Sequence, residues 1–133
     1  MFVINLCRWR GRGISSQESL PMKMVVAIVK PSKLGDIKAA LSEIGVQGIT
    51  VSEVKGFGRQ KGHDAVYRGR EYHVEFIPRL HLEIAVEDEL AERVLQTIER
   101  TGRTGEIGDG KIFLLNLEEA VRIRTGERGV DAL

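Results

Sequence analysis

Apolar and polar residues alternate most regularly near the middle of the chain, where Leu80, Leu82, Ile84 and Val86 are interleaved with His81, Glu83, Ala85 and Glu87. A period of two sends the two sets to opposite faces, so this segment is predicted to be a strand with one buried face. Residues 24–29 form a continuous apolar run that ends at Lys30-Pro31. Proline has no amide to extend a ladder, and the run reads as a buried strand. Leu34, Ile37, Leu41 and Ile44 then recur at helical spacing, with Ser32 placed to cap the first turn and Gly45 to stop the last. These positions predict an amphipathic helix of about three turns whose apolar stripe is core. Residues 49–55 are rich in β-branched side chains and predict a second strand. Asp88 is a second candidate cap, ahead of Leu90, Ala91, Val94, Leu95 and Ile98 on one helical face and Gly102 at its end. A fourth strand is predicted over residues 112–117, and a short C-terminal ribbon over residues 121–124.

The order strand, helix, strand, strand, helix, strand predicts an α+β fold: a ferredoxin-like βαββαβ sandwich with both helices on one face of an antiparallel sheet. One small domain has nothing left to cover the other face, and self-association is the simplest way to bury it. The domain is expected over residues 22–133. Residues 1–21 read as a disordered extension or an upstream start in preference to a targeting or docking segment, because Gly11, Gly13, Ser15, Ser16 and Pro21 make a flexible tail. Arg8, Arg10 and Arg12 fall where a secretory signal would have its apolar centre.

Composition changes this picture little. Twenty Lys and Arg face 19 Asp and Glu, so bulk charge does not point to nucleic acid or to an anionic membrane. No apolar run approaches the roughly 18 residues a membrane span needs. The single cysteine, Cys7, excludes an internal disulfide and a cysteine-based zinc site, which fits a reducing cytoplasm.

Local chemistry is more informative. Residues 55–72, between the second and third strands, are too polar and glycine-rich for core: Gly56, Gly58, Gly62 and Gly69 alternate with Arg59, Lys61, Arg68 and Arg70. A loop of this length in a compact domain is either a solvated excursion or a functional element. Residues 105–111 match the spacing of a phosphate-cradling P-loop up to Lys111. Ile112, however, stands where Ser or Thr should hold magnesium, and the loop runs from helix into strand. What remains is a concavity of glycine amides with Lys111 beside it, suited to an anion. Arg122 and Arg124, at i and i+2 of an extended segment, would present two guanidinium forks on one face, either to a polyanion or to solvent. Catalytic candidates are poor. His63, His73 and His81 lack metal-site spacing, and no serine sits in a nucleophile elbow.

Taken together, the motifs KGFGRQKGH from Lys55, YRGREY from Tyr67, TGEIGDGKIF from Thr104 and VRIRTGE from Val121 resemble the P-II nitrogen regulatory signalling proteins over residues 22–127. The resemblance implies a non-enzymatic, cytoplasmic homotrimer with ATP or ADP in each cleft between neighbours and 2-oxoglutarate joining Mg-ATP at the base of the long loop. By position it assigns Gly56, Phe57, Gly58, Arg59 and Gln60 to nucleotide, with Gln60 also the Mg2+ ligand. Gly108, Asp109, Gly110 and Lys111 would hold the phosphates, with Arg122 and Arg124 joining from the neighbouring face. Ile28, Thr50, Glu83 and Ala85 would line the adenosine pocket. The 2-oxoglutarate set would be Gly58, Gln60, Lys61, Gly62, Arg79 and Gly108.

Tyr72 matches the residue that relatives uridylylate, while Arg70 replaces the serine that others phosphorylate. Arg79 stands where the family has a lysine, a departure that bears on 2-oxoglutarate affinity. Implied partners are a uridylyltransferase, nitrogen-metabolism enzymes and an ammonium transporter, the last being the only route to a membrane. The alternatives are a P-II-like nucleotide sensor that serves another transporter or carbon pathway without a 2-oxoglutarate response, and a slow ATPase, which lacks an identifiable general base.

Overall fold

The computed structural model describes residues 21–57 and 76–133. Gly58, Arg59, Gln60, Lys61, Gly62 and Tyr72 lie outside the described residues, as do Cys7, His63, His73 and the expected extension before Pro21.

Six elements follow the predicted order: β1 Met22–Val29, α1 Leu34–Glu43, β2 Thr50–Gly56, β3 Ile77–Glu87, α2 Asp88–Gly102 and β4 Lys111–Leu117. The sheet order is β2-β3-β1-β4, with every neighbouring pair antiparallel. This is the ferredoxin-like arrangement, in which the second half of the chain interleaves with the first.

The registers explain the core. Val25 pairs with Ile84, Ala27 with Leu82 and Val29 with Leu80, so the alternation of β3 meets that of β1 on one face. Those six residues are buried, together with Ile37 and Leu41 of α1 and Ala91, Val94 and Ile98 of α2. Leu82, Ile84, Ile37, Leu41 and Val94 have no exposed surface. Burying a side chain of this size contributes roughly 1.5–3 kcal/mol, enough to fix which face of the sheet the helices cover.

Helix α1 ends as its sequence predicts. The Gly45 amide donates to Ser42 O (3.1 Å) and the Val46 amide to Leu41 O (3.0 Å), a Schellman closure. It requires the left-handed φ of 99° at Gly45. Both predicted N-caps are corrected. Ser32 lies inside a 3-10 turn, Pro31–Lys33, because Pro31 starts the helical path one turn early, and no side chain caps α1. Asp88 is the first residue of α2 and not its cap; its carboxylate pairs with Lys23 Nζ at 3.1 Å, still at the favourable end of the helix dipole. Gly102 is the last residue of α2 and does not close it with a left-handed turn; it packs beside Ile37 at the end of the helix.

The C-terminal ribbon is a tight turn closed by a bridge between Val121 and Arg128. The Gly126 amide donates to Arg122 O (2.7 Å) and the Arg122 amide to Glu127 O (2.9 Å). The extended run expected over 121–124 is therefore corrected: Arg124 lies in the turn, and the i, i+2 argument for a shared face does not apply.

Candidate functional site

The free end of β1 is where the glycine elements meet. Gly56 ends β2 and pairs with Ile77 of β3, while Lys111 opens β4 opposite Ile28 of β1. Segments that are far apart in sequence therefore converge at one end of the sheet. They enclose a cleft of about 450 Å³ lined by Ile28, Gly56, Phe57 and Arg79 on one side and Gly108, Gly110 and Lys111 on the other. Ile77, Ile107 and Phe113 supply further apolar wall. Phe57 packs edge-on against Phe76, with ring centroids 5.5 Å apart. The result is an apolar trough with a cation at each side and glycine backbone along one wall, suited to a molecule with a flat apolar part and an anionic part.

The 103–110 loop owes its shape to its own side chains. Asp109 Oδ2 accepts from the amides of Thr104 and Gly105, both at 2.8 Å, and Oδ1 accepts from the Thr104 hydroxyl. Lys30 Nζ lies 3.3 Å from the same carboxylate. These donors, the Thr104 hydroxyl first among them, hold the Asp109 carboxyl well below the usual carboxylate range, so it is ionised near neutral pH. Gly110 has φ 100°, and a Cβ at that position would collide with the Ile28 carbonyl. Only glycine lets the loop lie this close to β1.

Of the expected site residues that are described, Ile28, Gly56, Phe57, Arg79, Gly108, Gly110 and Lys111 share the cleft. Arg79 reaches Gly108 closely enough for its Nη2 to stand 2.7 Å from a Cβ built there, and its Nη1 donates to Pro78 O at 2.8 Å. Thr50, Glu83 and Ala85 occupy the same sheet face but do not line the cleft. Glu83 instead lies 3.8 Å from His81 Nε2.

Asp109 has its carboxylate committed to the loop. Arg122 and Arg124 are not brought to the cleft within one chain. Arg122 Nη1 pairs with Glu127 at 2.6 Å, and its Nη2 donates to Leu133 O at 3.0 Å. Phe76, Ile77 and Phe113 were missed because apolar residues in or beside strands look like core, and Ile107 because one apolar residue in a loop carries no pattern. Lys30 was passed over as the end of a strand, although a lysine directly before proline cannot continue into the core and was the available signal.

Among the described residues no group of three or more His, Cys, Asp or Glu could hold a metal ion. None of the described helices is long and apolar enough to cross a membrane.

The fold and the site define a class, small ferredoxin-like domains with an anion-suited cleft between two glycine elements. Within that class, a profile of the family described as nitrogen regulatory protein P-II matches residues 22–127. The chain is 59% identical over 112 residues to the nitrogen regulatory protein P-II of Bradyrhizobium diazoefficiens, and equally to that of Rhodospirillum rubrum. Each alignment covers 84% of this chain and all of the relative. Among solved structures, Bacillus subtilis GlnK superposes with a TM-score of 0.72 at 38% identity, over 85% of this chain and 99% of that one. Arabidopsis thaliana PII bound to citrate gives 0.70 at 40% identity, over 86% and 94%. The chain belongs to the nitrogen regulatory protein P-II family.

Proposed function

We propose that this P-II protein senses adenylate state and 2-oxoglutarate and passes the result to nitrogen-assimilation targets through the segment between β2 and β3. The observation that carries this reading is the convergence of Gly56 and Phe57 with Gly108, Gly110 and Lys111 on one cleft. Backbone amides with a lysine suit a polyphosphate, and the Phe57 and Ile28 walls suit a base. Arg79, held against Gly108 at the mouth, is placed to take a carboxylate, and its fork favours a bidentate grip. The Arabidopsis relative bound to citrate is an instance of this fold holding a polycarboxylate.

The rest of the proposal follows the family. Three copies would pack their bare sheet faces together, and Arg122 and Arg124 of one copy would reach the phosphates in the next. Mg2+ would be held by Gln60, phosphate oxygens and 2-oxoglutarate, the ligand-assembled coordination that this ion favours. The protein acts by differential binding and not by catalysis: ATP, ADP and 2-oxoglutarate select among states of the segment around Tyr72. That segment then engages or releases partners such as an ammonium transporter or a nitrogen-metabolism enzyme in the cytoplasm. Uridylylation of Tyr72 by a uridylyltransferase would add bulk and negative charge to it.

Calorimetric titration of 2-oxoglutarate with Mg-ATP, with Mg-ADP and with neither tests the reading. Heat only in the presence of Mg-ATP is the expected result. ATP binding without 2-oxoglutarate heat would leave a nucleotide sensor of another pathway, the reading that the lysine-to-arginine departure at Arg79 would permit. No nucleotide binding at all would overturn both.

A further inference from the structure

The cleft and a second hollow share Ile28, Gly110 and Lys111, and the loop residues that separate them are Gly108 and Asp109. Gly108, Gly110 and Lys111 line the 450 Å³ cleft. Asp109 does not; it lines a hollow of about 370 Å³ beside Glu99 and Arg103 of α2 and its C-terminal flank. The carboxylate oxygens are occupied by two amides, a hydroxyl and the Lys30 ammonium. Lys30 Nζ also lies 3.2 Å from Thr104 Oγ1 and 3.8 Å from Glu106. Its side chain retains 21% of its exposure, and its Cε would stand 3.7 Å from a Cβ on Gly108.

We infer that Lys30 and Asp109 are positioning residues: their ion pair pins the 104–110 loop to the end of β1, so that glycine backbone, and not the Asp109 carboxylate, meets a bound phosphate. The inference rests on the proposed nucleotide reading and deepens it. The end of β1 and the residue that follows it grip the loop at two points. Ile28 meets Gly110 through main-chain contact, and Lys30 reaches Asp109 and Thr104 through charge. An unpaired carboxylate in a phosphate cleft would repel the ligand. A carboxylate saturated from behind the loop instead orders the glycine amides before the ligand arrives, which removes the entropy cost of ordering them on binding. The Thr104 hydroxyl and amide first, then the Gly105 amide and last Lys30, hold the Asp109 carboxyl below the usual carboxylate range and keep it charged for this contact.

The test is Mg-ATP titration of the wild type, Lys30→Met, Lys30→Arg, Asp109→Asn and the Lys30→Met/Asp109→Asn double variant, each with amide exchange read at Gly105 and Gly110. Lys30→Met and Asp109→Asn should each weaken Mg-ATP by about tenfold and speed exchange in the loop, the scale expected for losing a charge-assisted contact. The double variant should be no worse than either single one, because both cut the same strut. Lys30→Arg should restore most of the affinity. Carbon-13 titration of the Asp109 carboxyl in Lys30→Met should show its midpoint moved up in a folded protein.

Wild-type affinity in Lys30→Met would overturn the inference. Lost affinity with unchanged loop exchange would do the same, since Lys30 would then act on the ligand directly. If the wild type itself binds no Mg-ATP, the nucleotide reading fails, and the exchange data alone decide the strut: faster exchange in Lys30→Met upholds it and unchanged exchange removes it.

Discussion

The two faces of the sheet are built from the same strands by the same alternation, yet they end in different conditions. On one face Val25, Ala27, Leu82 and Ile84 are sealed by α1 and α2. On the other, Met24, Val26, Ile28 and Ala85 are half-buried, while Phe113 and Leu115 keep 49% and 48% of their surface exposed. Two helices are enough for one face only. The bare face is apolar in its middle and carries the cleft at one end, so on the proposed assembly a second copy would cover the one and border the other. Completing this fold and completing its site would then be a single event.

A matched pair of substitutions breaks or sharpens that contrast. Leu82→Ala, on the sealed face, should cost about 3 kcal/mol in chemical denaturation, because the cavity is walled by fixed helices. Gly110→Ala, at the junction of face and cleft, should cost more than about 2 kcal/mol, since the left-handed backbone and the Ile28 carbonyl both oppose a side chain. The same variant should bind ATP poorly while its circular dichroism stays native. Phe113→Ser, on the bare face, should cost less than about 1 kcal/mol within one chain. Its effect should appear in sedimentation, as loss of self-association; a Phe113→Ser protein that sediments like the wild type would break the comparison.

Two smaller effects set the scale. Asp109 has a folded-state pKa depressed below its unfolded value near 3.9. Its contribution to stability is therefore present above that unfolded value and fades as pH falls through it toward the folded one. The stability gap between wild type and Asp109→Asn in urea should be full near neutrality and close progressively below about pH 4. Last, Arg103→Ala removes an exposed i, i+4 pair with Glu99 and should change stability by only about 0.3–0.5 kcal/mol.

The legible parts of the site were those whose chemistry is written in one short segment. Gly108, Gly110 and Lys111 could be seen as an anion cradle because they fall within one four-residue stretch, and Gly56 and Phe57 for a similar reason. That they form one cleft could not be read from either segment. Asp109 looked like a phosphate neighbour by its place in the motif, yet its carboxylate is spent on Thr104, Gly105 and Lys30. Arg122 looked free in an extended ribbon, yet a turn delivers it to Glu127 and Leu133. A side chain's nearest partner depends on where the backbone turns next, and glycine, the residue that permits those turns, leaves no periodicity behind it.

The sequence by itself determined the order of elements, the buried sides of β3, α1 and α2, and the glycine stop at Gly45, because periods of two and of about 3.6 residues are set by neighbours along the chain. Only the tertiary structure decided what meets at the end of β1. The sheet inserts that strand between β3 and β4, and this one choice brings Ile28 to Gly110, Lys30 to Asp109 and Gly56 to the same cleft as Lys111. The physical reason is that strand order follows from burying both halves' apolar faces under two helices at once, a condition on the whole chain and on no segment of it.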